Sequence, residues 1–399
     1  MPSENVKKIC VLLESYYPII GGMESQALLL NKALSERGFQ VLVVTRMSRS
    51  DLKAHEVIDG VDVNRIAPEG PGSFKRWLMV ITSMYYLIKN VREYDLVFVS
   101  GFRSLGISSV LVSKIFRKGC VLKADNIGEM SGEFFHRGIE TVGFNKGSLV
   151  FKIFIIFRNF LLKKADAFVS ISPKITCEFK RSGINPSQIY EIPNCVDQDQ
   201  FYKVTSEEKI KLRSKLNLPL NGKIVIYTGR LVLEKGLPFL LRVWNEIQKN
   251  NKNILLLLVG SGENLIFSCE DELKEYVKRK RIENSVRFTG KVNFNKVHEY
   301  LKSSDIFVLP SDDEPFGNSL IEAMSCGIAS ISTSFIIQHG YDGYSIEPKN
   351  FGQLYNYIDL LLKNNQLMDE IGNNALQTIG EKYSKSIVAQ TYIDLFNKF

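Results

Sequence analysis

Two carboxylates, Glu314 and Glu322, stand eight residues apart in the stretch 305–334, DIFVLPSDDEPFGNSLIEAMSCGIASISTS. Two cations, Arg230 and Lys235, lie upstream in 227–236, YTGRLVLEKG. An acid in the loop after a strand can reach a ligand. An acid one turn inside the following helix can accept hydrogen bonds from two neighbouring hydroxyls, such as those of a ribose. The amides of Phe316, Gly317, Asn318 and Ser319 would form that helix's N-terminus, a place that favours a phosphate. Arg230 offers a planar fork to two phosphate oxygens, and Lys235 offers a movable point charge. Taken singly, each also fits an ordinary solvated loop acid, an exposed helix residue or a surface cation. The two cations gain weight from flanking glycines between a strand and a helix.

The elements that must hold these groups can be read from periodicity. Residues 305–309 form an apolar run suited to a buried strand, 310–317 a polar loop, 318–324 a helix stopped by Gly327, and 328–333 the next strand. Strand, loop, helix and strand make one unit of an α/β sheet, and such sheets bind ligands at the carboxyl ends of their strands. A second such unit opens the chain: strand 8–13, a loop ending in Gly21 and Gly22, a helix over 23–37 and a strand over 39–45. Glycines there let backbone amides approach an anion, and equally make a tight turn. Residues 61–66 alternate as an outer strand, 95–100 and 120–124 read as buried strands, and 351–382 as helical. Gly260-Ser-Gly262 lacks the third glycine of a dinucleotide fingerprint.

Ordered along the chain, these segments resemble the retaining family 4 glycosyltransferases. E-P-F-G-x-x-x-x-E-A-M-x-x-G resembles that family's E-x7-E signature, and 227–236 its G-R-x-x-x-x-K-G phosphate clamp. Pro193-Asn-Cys-Val-Asp197 resembles its P-N-G-V-D hinge with Cys195 in place of glycine, and Gly21-Gly22-Met-Glu24 its glycine loop. The resemblance implies a GT-B fold: two Rossmann-like α/β/α domains facing a cleft, here 1–197 on the acceptor side and 198–383 on the nucleotide-sugar side. A last helix over 384–399 would cross back to the first domain. It further implies transfer of a sugar, with retention, from a UDP- or GDP-sugar to a saccharide or lipid-linked acceptor, in cell-surface polysaccharide or glycolipid assembly. Glu314, Arg230, Lys235 and Asp125 would be catalytic. Glu322 would hold the ribose, with Gly21, Gly22, Gly260, Val292 and 316–319 completing the donor contacts alongside the two cations. No cofactor and no metal are expected, because fixed cations can stabilise a leaving diphosphate. Asp197-Gln-Asp199 and Asp312-Asp313 are acidic pairs of a kind frequent in loops.

Two departures border the sugar and the acceptor. Many family members carry a histidine where this chain reads Lys123-Ala-Asp125-Asn126, and the nearest histidine, His136, follows in a loop with Glu133 and Arg137. Asp125, Asn126 or Glu129 can stand in for it, or can merely cap the next helix. The family's G-G-x-x-E segment after 328–333 is shortened. These departures keep a second reading open, a catalytically weak binding subunit of a partner transferase.

The composition is that of a soluble globular protein long enough for two domains: 399 residues, 45% hydrophobic and 24% charged. The N-terminus has no secretory pattern, and no apolar run is long enough to span a bilayer. Six scattered cysteines without a C-x-x-C pair argue for reduced thiols and a cytoplasmic setting. The formal net charge of +8 is concentrated in the first half, where 1–197 carries +7 and 75–164 alone carries +9. Such a bias suits an anionic partner. No compact basic–aromatic recognition motif supports nucleic acid, leaving peripheral contact with an anionic membrane surface. The helix candidate 147–164, GSLVFKIFIIFRNFLLKK, bears Lys152, Arg158, Lys163 and Lys164 and is expected either to pack on the sheet or to lie in such an interface.

Overall fold

The computed structural model describes residues 8–19, 21–70, 72–133, 149–263, 265 and 267–399. They form two compact units, Met1–Asn194 with Lys385–Phe399, and Cys195–Ser384. His136 and Arg137 lie outside the described residues.

The first unit runs β1 (Lys8–Leu12), α1 (Gly22–Ser35), β2 (Gln40–Arg46), β3 (His55–Ile58), β4 (Val61–Ile66), α2 (Ser73–Lys89) and β5 (Leu96–Ser100). It continues with α3 (Leu105–Phe116), β6 (Gly119–Ala124), α4 (Leu149–Leu162), β7 (Ala167–Ser170), α5 (Pro173–Arg181) and β8 (Ile189–Glu191). Its sheet has the order β3-β4-β2-β1-β5-β6-β7-β8, parallel except for the β3–β4 pair. The central strand β5 is buried along its whole length, as the unbroken apolar run LVFVS requires of a strand covered on both faces. The edge is β3 rather than 61–66. Its residues HEVI contain no buried position, so no apolar alternation announces them.

The second unit runs β9 (Lys223–Thr228), β10 (Ile254–Val259), β11 (Val286–Phe288), β12 (Ile306–Leu309), β13 (Ala329–Ser332) and β14 (Tyr344–Ser345). Its helices are α6 (Ser206–Lys215), α7 (Leu237–Asn250), α8 (Glu270–Lys280), α9 (Val297–Lys302), α10 (Asn318–Ser325), α11 (Phe351–Lys363) and α12 (Asn365–Thr378). The sheet order is β11-β10-β9-β12-β13-β14, every described pair parallel. This is the doubly wound order in which the chain reverses direction between the first and fourth strands, leaving a crevice at their carboxyl ends. Residues 351–382 are not one helix. Asn364 ends α11, and its side chain accepts a hydrogen bond from Leu367 N to cap α12.

The final helix, α13 (Lys385–Phe396), returns to the first unit. Tyr392 and Phe396 each meet Phe98 of β5 edge-on, with ring centroids 5.5 and 5.4 Å apart, and Arg37 after α1 donates to Ser386. The six cysteines are all free thiols. Among the described residues, no helix is long and apolar enough to cross a membrane.

Candidate active site

At the reversal point of the second sheet, β9 ends at Thr228 and β12 at Leu309, and the loops that follow them are stitched together. Asp312 N donates to Glu234 O at 2.9 Å. Gly236, with φ +69°, lies so close that a Cβ there would fall 2.0 Å from Pro310 O, so the two loops meet backbone to backbone. The loop after β10 joins them: Gly229 N donates to Val259 O, Leu231 N donates to Ser261 O, and a Cβ on Gly260 would meet Gly229 O at 1.9 Å. Val292, half-buried, lies four residues beyond β11 on the same edge of the sheet. The segments carrying Arg230, Lys235, Gly260, Val292 and Glu314 therefore converge on one edge.

Lys235 and Glu314 are in contact. Lys235 Nζ lies 2.8 Å from Glu314 Oε2, and Ser311 Oγ donates to the same oxygen at 2.9 Å. Both charged side chains are largely withdrawn from water, so the pair is stronger than a surface ion pair. Arg230 is arranged differently. Its guanidinium is exposed and reaches Glu234 at 3.2 Å, while its carbonyl accepts from Tyr227 Oη at 2.8 Å.

Glycine 317, with φ +107°, starts α10, whose first turn is Asn318 and Ser319. Phe316 enters the expectation through its amide, not its ring. It is buried, packs edge-on against Phe335 and Tyr383 at 6.0 Å, and its carbonyl accepts from Ser334 Oγ, so only its backbone can face a ligand. Glu322 is half-buried on the second turn. Among the described residues nothing donates a hydrogen bond to its carboxyl group, and burial raises its pKa from 4.5 to about 8. The residue keeps an opening to solvent while its acid group sits deep enough to favour the neutral form.

The other expected residues belong to the first unit. Gly21 caps α1 and Gly22 begins it; a Cβ on Gly21 would fall 2.7 Å from the carboxylate of Glu24, which folds back over the turn. Asp125 follows β6 and is buried between Lys123 Nζ at 2.7 Å and Ser100 Oγ at 2.6 Å. Glu129 accepts from the amides of Asp125 and Asn126 at 3.2 and 3.1 Å within a turn, not at the start of a described helix. Burial pushes its carboxyl up to about 7 against the pull of Arg103. Glu178 of α5 accepts from the amides of Gly128, Met130 and Ser131 at 2.7, 2.9 and 2.8 Å, so two carboxylates hold five amides of one loop. Arg158 is not a surface cation: it is buried and donates to the carbonyls of Arg103, Glu129 and Met130. Lys123, Glu178 and Arg158 carry no motif; the only sequence signal near them is the missing histidine.

The comparisons with known proteins agree with this architecture. Residues 20–200 match the family model described as Glycosyltransferase Family 4, and residues 208–378 match Glycosyl transferases group 1. The chain is a family 4, group 1 glycosyltransferase. An uncharacterized glycosyltransferase of Methanocaldococcus jannaschii is 26% identical to it over 400 residues, covering 98% of this chain and 97% of the relative. Sucrose-phosphate synthase from Thermosynechococcus elongatus superposes with a TM-score of 0.78 at 20% identity, covering 98% of each chain. Anabaena HepE in complex with UDP-glucose superposes at 0.77 and 20% identity, covering 98% of this glycosyltransferase and 100% of HepE. At such identities the likeness shows the fold, which is GT-B. Among the described residues, no group of three His, Cys, Asp or Glu side chains could hold a metal ion; Asp197 Oδ1 instead accepts from Asp199 N at 3.3 Å.

Proposed function

We propose that this glycosyltransferase binds a UDP- or GDP-sugar at the reversal point of its second unit. It transfers the sugar, with retention, to a saccharide or lipid-linked acceptor handled by the first unit. The observation that carries this reading is the Lys235–Glu314 pair at the carboxyl ends of β9 and β12, followed one helix turn later by Glu322, to whose carboxyl group no described residue donates. A ribose supplies two adjacent hydroxyls, the donors this half-buried acid lacks among the described residues. HepE, of the same fold, holds UDP-glucose, which supports a nucleotide-sugar donor.

In this reading the diphosphate takes Lys235 as a counter-ion and the exposed Arg230 fork folds onto it, so fixed cations stabilise the leaving charge without a metal. The first-turn amides of α10 add a preorganised dipole. Glu314, relieved of Lys235, contacts the transferred sugar. The acceptor hydroxyl attacks on the face the diphosphate leaves, and a leaving phosphate oxygen takes its proton, so no separate strong base is required. In the first unit, we assign to Asp125, held by Ser100 and Lys123, the role that the family gives to histidine.

The test is the double variant Arg230→Ala with Lys235→Ala. Turnover should fall by about a thousandfold or more, as removal of charge-stabilising groups does, with the melting temperature changed by only a few degrees. Activity that survives both changes would show that the leaving charge is stabilised elsewhere.

A further inference from the structure

The first unit turns a large apolar surface to solvent, and it lies on two helices. On α2 the exposed residues are Phe74, Leu78, Ile81, Tyr85 and Ile88, one stripe at helical spacing, opposite the buried Met79, Ser83 and Leu87. On α4 the stripe is Leu149, Ile153, Ile156, Phe157 and Phe160, with Ile156 and Phe157 69% and 68% exposed. The two helices touch through Trp77 and Phe154, whose ring centroids are 5.4 Å apart in an edge-on pair. Both pack against α3, which exposes Leu111, Ile115 and Phe116 at its outer end. Contiguous apolar surface on this scale is unusual on a soluble monomer and marks a contact site.

Charge selects the occupant. The sequences of α2, α3 and α4 contain no Asp or Glu. Lys89, Lys114 and Lys152 on them, and Lys163 and Lys164 just beyond α4, are all exposed, and Lys164 Nζ sits 4.9 Å from the centre of the Phe160 ring. Bulky aliphatic and aromatic side chains on helices that carry lysines and no acid, with Lys114 tied to Asp166 beyond them, match a bilayer interface carrying anionic headgroups. A protein partner of ordinary composition would meet acids as well as bases on such helices.

We propose that the α2–α4 face docks this glycosyltransferase onto an anionic lipid bilayer, the apolar stripes entering the headgroup–acyl boundary and the lysines contacting the headgroups. The proposal concerns a different face from the donor site and stands or falls separately from it.

The chain offers its own depth gauge. Its two tryptophans are Trp77, half-buried between α2 and α4, and Trp244, fully buried in the second unit. The full chain would be sedimented with phosphatidylcholine vesicles, with and without phosphatidylglycerol, and its fluorescence followed with bromine-labelled acyl chains. The expected result is binding to anionic vesicles only, weakened by high salt, with bromine quenching that disappears in Trp77→Phe. Ile81→Glu with Tyr85→Glu, and separately Ile156→Glu with Phe157→Glu, should each weaken vesicle binding at least tenfold. Lys152→Glu with Lys164→Glu should weaken it as well. These positions are exposed, so circular dichroism and nucleotide affinity should match the unaltered protein, keeping a failed docking face distinct from a failed donor site. No binding to anionic vesicles, equal binding to neutral ones, or no quenching of Trp77 would overturn the proposal. So would a native dimer that the glutamate variants split into monomers, which would make the face a contact between copies.

Discussion

Glu322 makes the sharpest demand at the scale of single residues. Burial holds its free carboxyl near pKa 8, whereas two ribose hydroxyls donating to it favour the charged form. Nucleotide binding should therefore release a proton below pH 8. Affinity should climb up to about tenfold per pH unit towards pH 8, then level off. Glu322→Gln should flatten that profile and lower affinity by about a hundredfold at pH 8, the worth of two charged hydrogen bonds. Calorimetry at pH 6.5, 7.5 and 8.5 measures both. A rising profile retained in the glutamine variant would remove Glu322 from the ribose. The same group has a stability signature: its folded pKa is raised, so the stability it contributes is whole below about 4.5 and is lost as pH rises through about 8. At this scale the placing of Arg230, Lys235, Glu314 and Glu322 in strand–loop–helix units was legible, because the spacing within each unit is short. The Asp125 cluster was not legible. Ser100 and Glu178 reach that loop from distant parts of the chain, and no spacing rule connects them. Arg158 could not be told from the lysines beside it, because which face of an apolar helix turns inward depends on what packs there.

Among the elements, the strongest anchor outside the site is Asp305, immediately before β12. It receives Arg213 Nη2 and the Ile224 amide at 2.7 Å and Lys209 Nζ at 3.0 Å, tying α6 to the two strands that flank the reversal point. Burial opposes its charge, but Lys209 and Arg213 outweigh that and its pKa is lowered. Asp305→Asn leaves a buried guanidinium without its counter-charge and should cost about 3 kcal/mol of second-unit stability. Thermal melts followed by Trp244 fluorescence measure it; an unchanged midpoint would show that α6 is held by its apolar contacts alone. By the sign of the shift, Asp305 stabilises above the ordinary carboxylate range and loses its effect as pH falls through its lowered folded value. Central strands were legible here as unbroken apolar runs. The short edge strands β3 and β8 were not, since exposed or half-buried positions leave no periodicity to read, and β14 is only two residues long. The helix α4 was legible as a helix, while its exposed apolar stripe emerged only when its neighbours were in place.

For the whole molecule, the fold was legible because each half repeats the same strand–loop–helix grammar, and because Pro193–Asp197 brackets the point where one unit ends and the next begins. In the proposed reading the base, the sugar and the acceptor would be read by loops that follow no such grammar. The central claim, that this glycosyltransferase activates a nucleotide-sugar with fixed cations after β9, is tested most directly by nucleotide release. A panel of UDP-, GDP- and ADP-sugars would be incubated with the protein in EDTA, without acceptor. The account predicts slow release from one UDP- or GDP-sugar, abolished by Glu314→Ala. Release that requires a divalent metal, or a protein that neither releases nor binds any nucleotide, would contradict it.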